Sequence, residues 1–219
     1  MKNCLHKFKI FKNGFTLAEV LITLVIVGVV AAFTIPTLIN KTEEREFKAA
    51  LKKNYSILQQ VFDKYYIEHG ERLSYDVITS TSGTKTFLQK IEKYFSSIKS
   101  DTSIAPLSNF SEIYTTYDGK RNLIYGNFND GMMILNDGTA LFFNNDSGGV
   151  FILVDVNGYE KKPNRLGKDT FMFEVISNGN LLPIGAEGTQ YADMDKYCSN
   201  NSTSYYNGAA CTNKVLMNK

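Results

Sequence analysis

The sequence predicts an α+β protein in which one long N-terminal helix leads into a head dominated by antiparallel strands. Three observations carry this prediction. Residues 15–39 form a largely apolar run, and residues 47–65 place apolar side chains three and four apart. From residue 131 onward, β-branched and aromatic runs alternate with Asn-Asp-Gly and Asn-Gly turns. With 219 residues, 43% hydrophobic and 13% aromatic, the chain has the composition of a globular protein of one domain plus appendages.

The first element is a basic leader, residues 1–14, with Lys2, Lys7, Lys9 and Lys12 and no acid. These are four of the 24 basic residues, so the remainder carries 20 basic against 22 acidic residues. The formal charge of +2 therefore belongs to the leader. Nothing in it argues for nucleic acid, since no Lys/Arg stripe with interleaved aromatics is visible along the chain. Basic residues beside an apolar segment mark its cytoplasmic flank. This puts the N-terminus inside and residues beyond about 40 outside. The apolar block of 25 residues, 15–39, reaches roughly 37 Å as a helix, enough to cross a ~30 Å hydrocarbon core. Its anomaly is Glu19, because a carboxylate at the head of such a helix is costly and is expected to have a purpose. A cleaved secretory signal ending near Ala31-Ala32 is the competing reading, and it leaves Glu19 unexplained. Pro36 should kink or loosen the helix where the apolar run ends. Phe47, Leu51, Tyr55, Leu58, Phe62 and Tyr65 then share one helical face, so the helix should continue to about Glu68 and stop at Gly70.

The run Gly14-Phe-Thr-Leu-Ala-Glu-Val-Leu-Ile22 resembles the type IV pilin and type II secretion pseudopilin family. There a short basic leader ends in Gly, followed by Phe, a Glu and a long apolar helix. The resemblance covers roughly residues 7–65 and includes Gly28 and Pro36. It implies that a membrane peptidase and methyltransferase cuts after Gly14 and methylates Phe15. It also implies that Glu19 faces the amino terminus of a neighbouring subunit. The alternative for Glu19 is an unpaired carboxylate snorkelling to the headgroups. The family would give a lollipop: stalk helix 15–69 packed on an α+β head, 71–219. Expected partners are other pilin or pseudopilin subunits, the membrane assembly platform and the bilayer. The expected location is the bacterial inner (plasma) membrane in a single pass, N-terminus cytoplasmic, head periplasmic or extracellular, with a filament after assembly. A membrane-anchored binding module that caps a filament or never polymerises is the second hypothesis.

Within the head, 71–83 reads as a polar connector. Residues 84–99 read as a second amphipathic stretch with Phe87, Ile91, Tyr94, Phe95 and Ile98 on one side. Strands are expected over 131–143 (with an Asn-Asp-Gly turn), 149–156 and 169–176, with an edge at 181–184. Between two of them, Asp155, Asn157, Asn164 and Asp169 offer oxygen ligands of the kind Ca²⁺ takes. Some pseudopilins bind calcium in a head loop. The spacing is not that of a twelve-residue EF loop, and the same residues also read as turn formers fixed by Asx hydrogen bonds. Cys4 lies in the leader, and Cys198 and Cys211 remain. The resemblance supports a disulfide between them, closing a 14-residue loop worth roughly 3 kcal/mol; two free thiols are the alternative. With only His6 and His69 in the chain, no Ser/His/Asp arrangement, zinc spacing or Walker loop can be assembled, and the chain does not read as an enzyme.

Overall fold

The computed structural model describes residues 14–74, 77, 86–101, 107–124, 126, 128–146 and 149–217. Most of the leader, with Cys4 and His6, lies outside the described residues, as do most of the 71–83 connector and the segment around Pro106. The chain divides into two compact units, at Glu43/Glu44.

The first unit contains the start of helix α1, which runs over Leu17–His69 and passes through Pro36. Over residues 17–39 it is apolar all round and almost wholly exposed, with Leu24, Val27 and Phe33 each more than 60% accessible. The hydroxyls of Thr23, Thr34, Thr37 and Thr42 donate to the carbonyls of Val20, Val30, Phe33 and Leu38 at 2.9–3.1 Å. Polar side chains of the run are thus satisfied inside their own helix, as an environment without water requires.

In the second unit α1 changes character. Leu51, Leu58, Phe62 and Tyr65 are buried, and Phe47 and Tyr55 pack against the same core. The expected 3–4 face is the buried face, joined by Asn54 and Val61. Gly70 closes the helix at φ +73°, its N–H donating to Tyr66 O at 2.8 Å, which is the left-handed C′ geometry that glycine adopts without strain.

The stretch 84–99 is only partly the amphipathic element expected. Helix α2 spans Thr86–Ile91 and a 3₁₀ turn spans Glu92–Tyr94. Ser97–Asp101 is then strand β1, paired antiparallel with β2, Met132–Leu135. Phe87 and Ile91 are buried as expected, but Ile98 is 72% exposed. Ladder hydrogen bonds to β2 override a local apolar spacing that a helix would also satisfy. A short helix α3, Phe110–Ile113, was not anticipated either.

The remaining strands are β3 (Ala140–Asp146), β4 (Gly149–Asp155), β5 (Thr170–Val175) and β6 (Leu181–Pro183). They form one sheet in sequential order β1 to β6, antiparallel throughout. The meander is the expected one, with one strand added at its start. Because side chains alternate across a strand, the sheet has two apolar faces. Met133, Leu141, Phe143, Ile152, Val154, Phe171 and Phe173 join the core that includes α1 and α2. Tyr55 of α1 stacks on Phe173 with ring centroids 5.3 Å apart. The other face, with Phe142, Phe151, Leu153 and Met172, packs on Phe110, Tyr114, Leu166 and Ala209. Two short C-terminal helices, α4 (Met194–Tyr197) and α5 (Cys211–Met217), complete the unit. Every residue of β4 and β5 is buried, so both sheet faces are closed to water at these strands, while the edge strand β1 stays largely exposed.

Candidate functional site

Gly14, Phe15 and Glu19 come together in the lead-in and first turn of α1. The Glu19 carboxylate has a partner of its own. Its Oε2 accepts from the Thr16 backbone N–H and from the Thr16 hydroxyl, both at 2.8 Å, and Thr16 Oγ1 accepts from the Glu19 N–H at 3.2 Å. This is a reciprocal capping box, which satisfies otherwise orphaned donors at a helix start. Its sequence signal is Thr16-Leu-Ala-Glu19, a Thr-x-x-Glu spacing ahead of an apolar run. Phe15 and Leu17 are at least 80% exposed beside it.

The second group lies in the head, between β4 and β5. Asp155 and Asp169 are fully buried. Asp155 Oδ2 accepts from the Tyr114 hydroxyl at 2.7 Å, and its Oδ1 accepts from the N–H groups of Asn157 and Gly158. Asp169 accepts from the N–H groups of Asn164 and Arg165, each at 2.7 Å. Asn164 sits at φ +53°, where Asn is tolerated, and its Nδ2 donates to Tyr159 O; Asn157 Nδ2 donates to Lys162 O. Burial pushes the Asp155 carboxyl up to about 7, against the opposing hydrogen bond from Tyr114 and helped by the nearby charge of Asp169. Burial also raises Asp169 and, aided by the facing Asp155, lifts Tyr114 well above the ordinary phenol range. The four residues proposed from sequence as oxygen ligands therefore do lie in one connected loop. Their carboxylates are tethered to protein donors, while Asn157 Oδ1 and Asn164 Oδ1 are buried without a hydrogen-bond partner. No group of three or more His, Cys, Asp or Glu side chains suited to a metal occurs among the described residues.

Cys198 and Cys211 are joined by a disulfide, with Cα atoms 5.0 Å apart, so the free-thiol alternative falls. The enclosed loop is laced by Asn207, which is fully buried; its Oδ1 accepts from Ser199 N–H and its Nδ2 donates to Ser199 O. His69 stacks on Tyr65 at 4.1 Å with Nδ1 3.0 Å from Tyr65 O, so its ring is engaged within its own helix.

Residues 11–35 match the family model for the prokaryotic N-terminal methylation motif, the signature of type IV pilins and pseudopilins. Neither a curated protein nor a solved structure matches the chain. The motif supports a pilin-like or pseudopilin precursor and implies processing by a prepilin peptidase and assembly with other pilins; the family that carries it is structural rather than catalytic. With the apolar helix, none of whose spanning window is buried, it suggests a single-pass membrane anchor.

Proposed function

We propose that this chain is a prepilin-like structural subunit, cut after Gly14, N-methylated at Phe15 and assembled into a type IV pilus or type II secretion pseudopilus. The carrying observation is the contrast inside α1: residues 17–39 expose an all-round apolar surface headed by a single carboxylate. Such a surface requires an apolar environment, first lipid and then the helices of neighbouring subunits. The basic leader holds the N-terminus on the cytoplasmic side and the head on the other. The membrane assembly platform would receive the cut subunit from the bilayer.

In this reading Glu19 has two successive partners. Before assembly the Thr16 capping box satisfies the carboxylate and lowers the cost of holding it at the membrane edge. On assembly it meets the amino terminus of an adjacent subunit, a charge pair that an apolar bundle screens little. Leaving either charge unpaired there would cost several kcal/mol, which makes the pair a register device.

The test is Glu19→Ala in the native host, followed by filament isolation. Loss of the variant from filaments is expected. Full incorporation with unchanged secretion or uptake would favour the membrane-anchored or capping binding module instead. N-terminal mass spectrometry should find N-methylphenylalanine at residue 15, and a start after Ala32 would remove both readings.

A second reading concerns the head loop, where a calcium ion would draw on Asp155, Asn157, Asn164 and Asp169. The two unpartnered, buried Asn oxygens favour it. If calcium binds, chelation should lower the melting temperature of the head by several degrees. An unchanged melt would leave the loop as a turn scaffold held by its own hydrogen bonds.

A further inference from the structure

Three loops far apart in sequence meet on one surface of the head, beside the disulfide. The first, residues 115–122, is tied to the second, 164–168, by hydrogen bonds from Thr115 N to Asn164 O and from Leu166 N to Thr115 O, each 3.0 Å. It is tied to the third, 204–208, by Tyr117 N to Asn207 O at 2.9 Å. Two glycines permit the close approach. A Cβ on Gly208, at φ +114°, would come within 2.1 Å of Leu166 O, and one on Gly119 would run into the Arg165 guanidinium at 2.7 Å.

The assembled surface alternates cations with aromatic rings. The Arg121 guanidinium lies 5.1 Å from the centre of the Tyr205 ring, and Lys168 Nζ lies 5.9 Å from that of Tyr117. Arg121 and Lys168 are exposed, and Tyr205 is 50% accessible. Among the described residues none of Arg121, Arg165 and Lys168 is ion-paired with a carboxylate. The acid within the patch, Asp118, is engaged by the Thr116 hydroxyl at 2.6 Å and lies 3.9 Å from Lys120 Nζ. The other cation over a tyrosine near the disulfide loop, Lys196 over Tyr197, is flanked by Asp193 and Asp195, whose two negative charges outweigh it, so it adds nothing to the cationic surface. What remains is three cations without a carboxylate partner and two tyrosine rings, on loops joined to one another by backbone hydrogen bonds.

We propose that this surface binds single-stranded nucleic acid. Spaced cations answer a phosphodiester backbone, and arginine-backed tyrosine rings answer unstacked bases. A polyanion without planar bases would use the cations and leave Tyr205 idle. The inference stands apart from the filament reading, since it needs the head alone.

The experiment is fluorescence anisotropy of a labelled oligothymidylate of about 12 nucleotides with the full chain in nonionic detergent. The lysines of the leader contribute a background, so variants carry the decision. Arg121→Ala with Lys168→Ala should weaken binding about tenfold and reduce the salt slope by about 1.4. Tyr205→Ala should weaken it about fivefold with the salt slope unchanged. Lys52→Ala, on the exposed side of α1, should change little. Near-UV circular dichroism like that of the unaltered chain establishes that each variant is folded, and Lys168→Glu serves if the double variant is not. Equal binding by all variants overturns the proposal. So does inorganic polyphosphate competing as well as the oligonucleotide while Tyr205→Ala has no effect, and so does tighter binding of a duplex of the same length.

Discussion

Residues 17–39 and residues 47–65 belong to the same helix and are both rich in large apolar side chains, yet they meet opposite fates. The first segment leaves Val20, Leu24, Val27 and Phe33 exposed, while the second buries Leu51, Leu58, Phe62 and Tyr65. Both composition and periodicity separate them: residues 17–39 carry Glu19 as their one charged residue, whereas residues 47–65 interleave Lys48, Lys52, Lys53, Asp63 and Lys64 with an apolar stripe. A stripe with a 3–4 repeat has one surface to bury and finds it on the sheet. A helix apolar on every side cannot be covered by one globular unit and calls for an apolar environment. The two carboxylates that matter repeat the contrast: Glu19 is exposed and capped by its own turn, whereas Asp155 is buried and held by contacts distant in sequence.

The largest expected effect tests the packing side of this contrast. Phe173→Ala removes the ring stacked on Tyr55 and should cost the head about 3–5 kcal/mol in denaturant unfolding in detergent. Val27→Ala should alter the same transition by less than about 0.5 kcal/mol. Comparable losses from both would break the distinction between the segments.

Next comes the buried carboxyl. Asp155 titrates higher folded, at about 7, than its ordinary value of 3.8. Between those values the folded state holds more protons than the unfolded one. Its contribution is therefore complete below about pH 4 and is lost as pH rises through about 7. At roughly 1.4 kcal/mol per pH unit over about three units, it amounts to about 4 kcal/mol. Unfolding free energy measured from pH 4 to pH 8 should fall by an amount of this order, and Asp155→Asn should flatten that part of the profile. A slope unaffected by the substitution would mean the group ionises in the fold as it does in water.

Opening the disulfide with Cys198→Ser paired with Cys211→Ser should cost roughly 3 kcal/mol by the loop-entropy account. Redox-independent melting would show that Asn207 and its neighbours hold the loop unaided. The smallest effect belongs to the helix start. Thr16→Val should destabilise the first turn of α1 by about 1 kcal/mol, seen as faster amide exchange near residues 17–20 with no change in head melting. If exchange there stays slow, the capping box is not what orders the turn.

Much of this was legible in the chain. The stalk helix, its change of character, the Gly70 stop and five of the strands follow from spacing and turn residues that act locally. The amphipathic stretch expected over 84–99 gives way to a strand at Ser97 because β1 exists only by pairing with β2, a partner more than thirty residues away. The Thr16–Glu19 box is legible too, as a Thr-x-x-Glu spacing, although the cost of a carboxylate in a membrane does not reveal it. The oxygen-rich loop was located from its residue types. Nothing in those types told which oxygens protein donors had already engaged.

Local order along the chain is enough for the N-terminal methylation signature, the apolar stalk and the α+β class, because each depends on contacts within a few residues or on composition along one helix. The burial of both faces of β4 and β5 and the reach of Tyr114 to Asp155 across 41 positions follow from how the chain is folded up. The same holds for Arg121, Lys168 and Tyr205, which share one surface. The physical reason is common to all three: burial and charge density are properties of neighbours in space, and antiparallel pairing brings together residues whose order along the chain carries no trace of it.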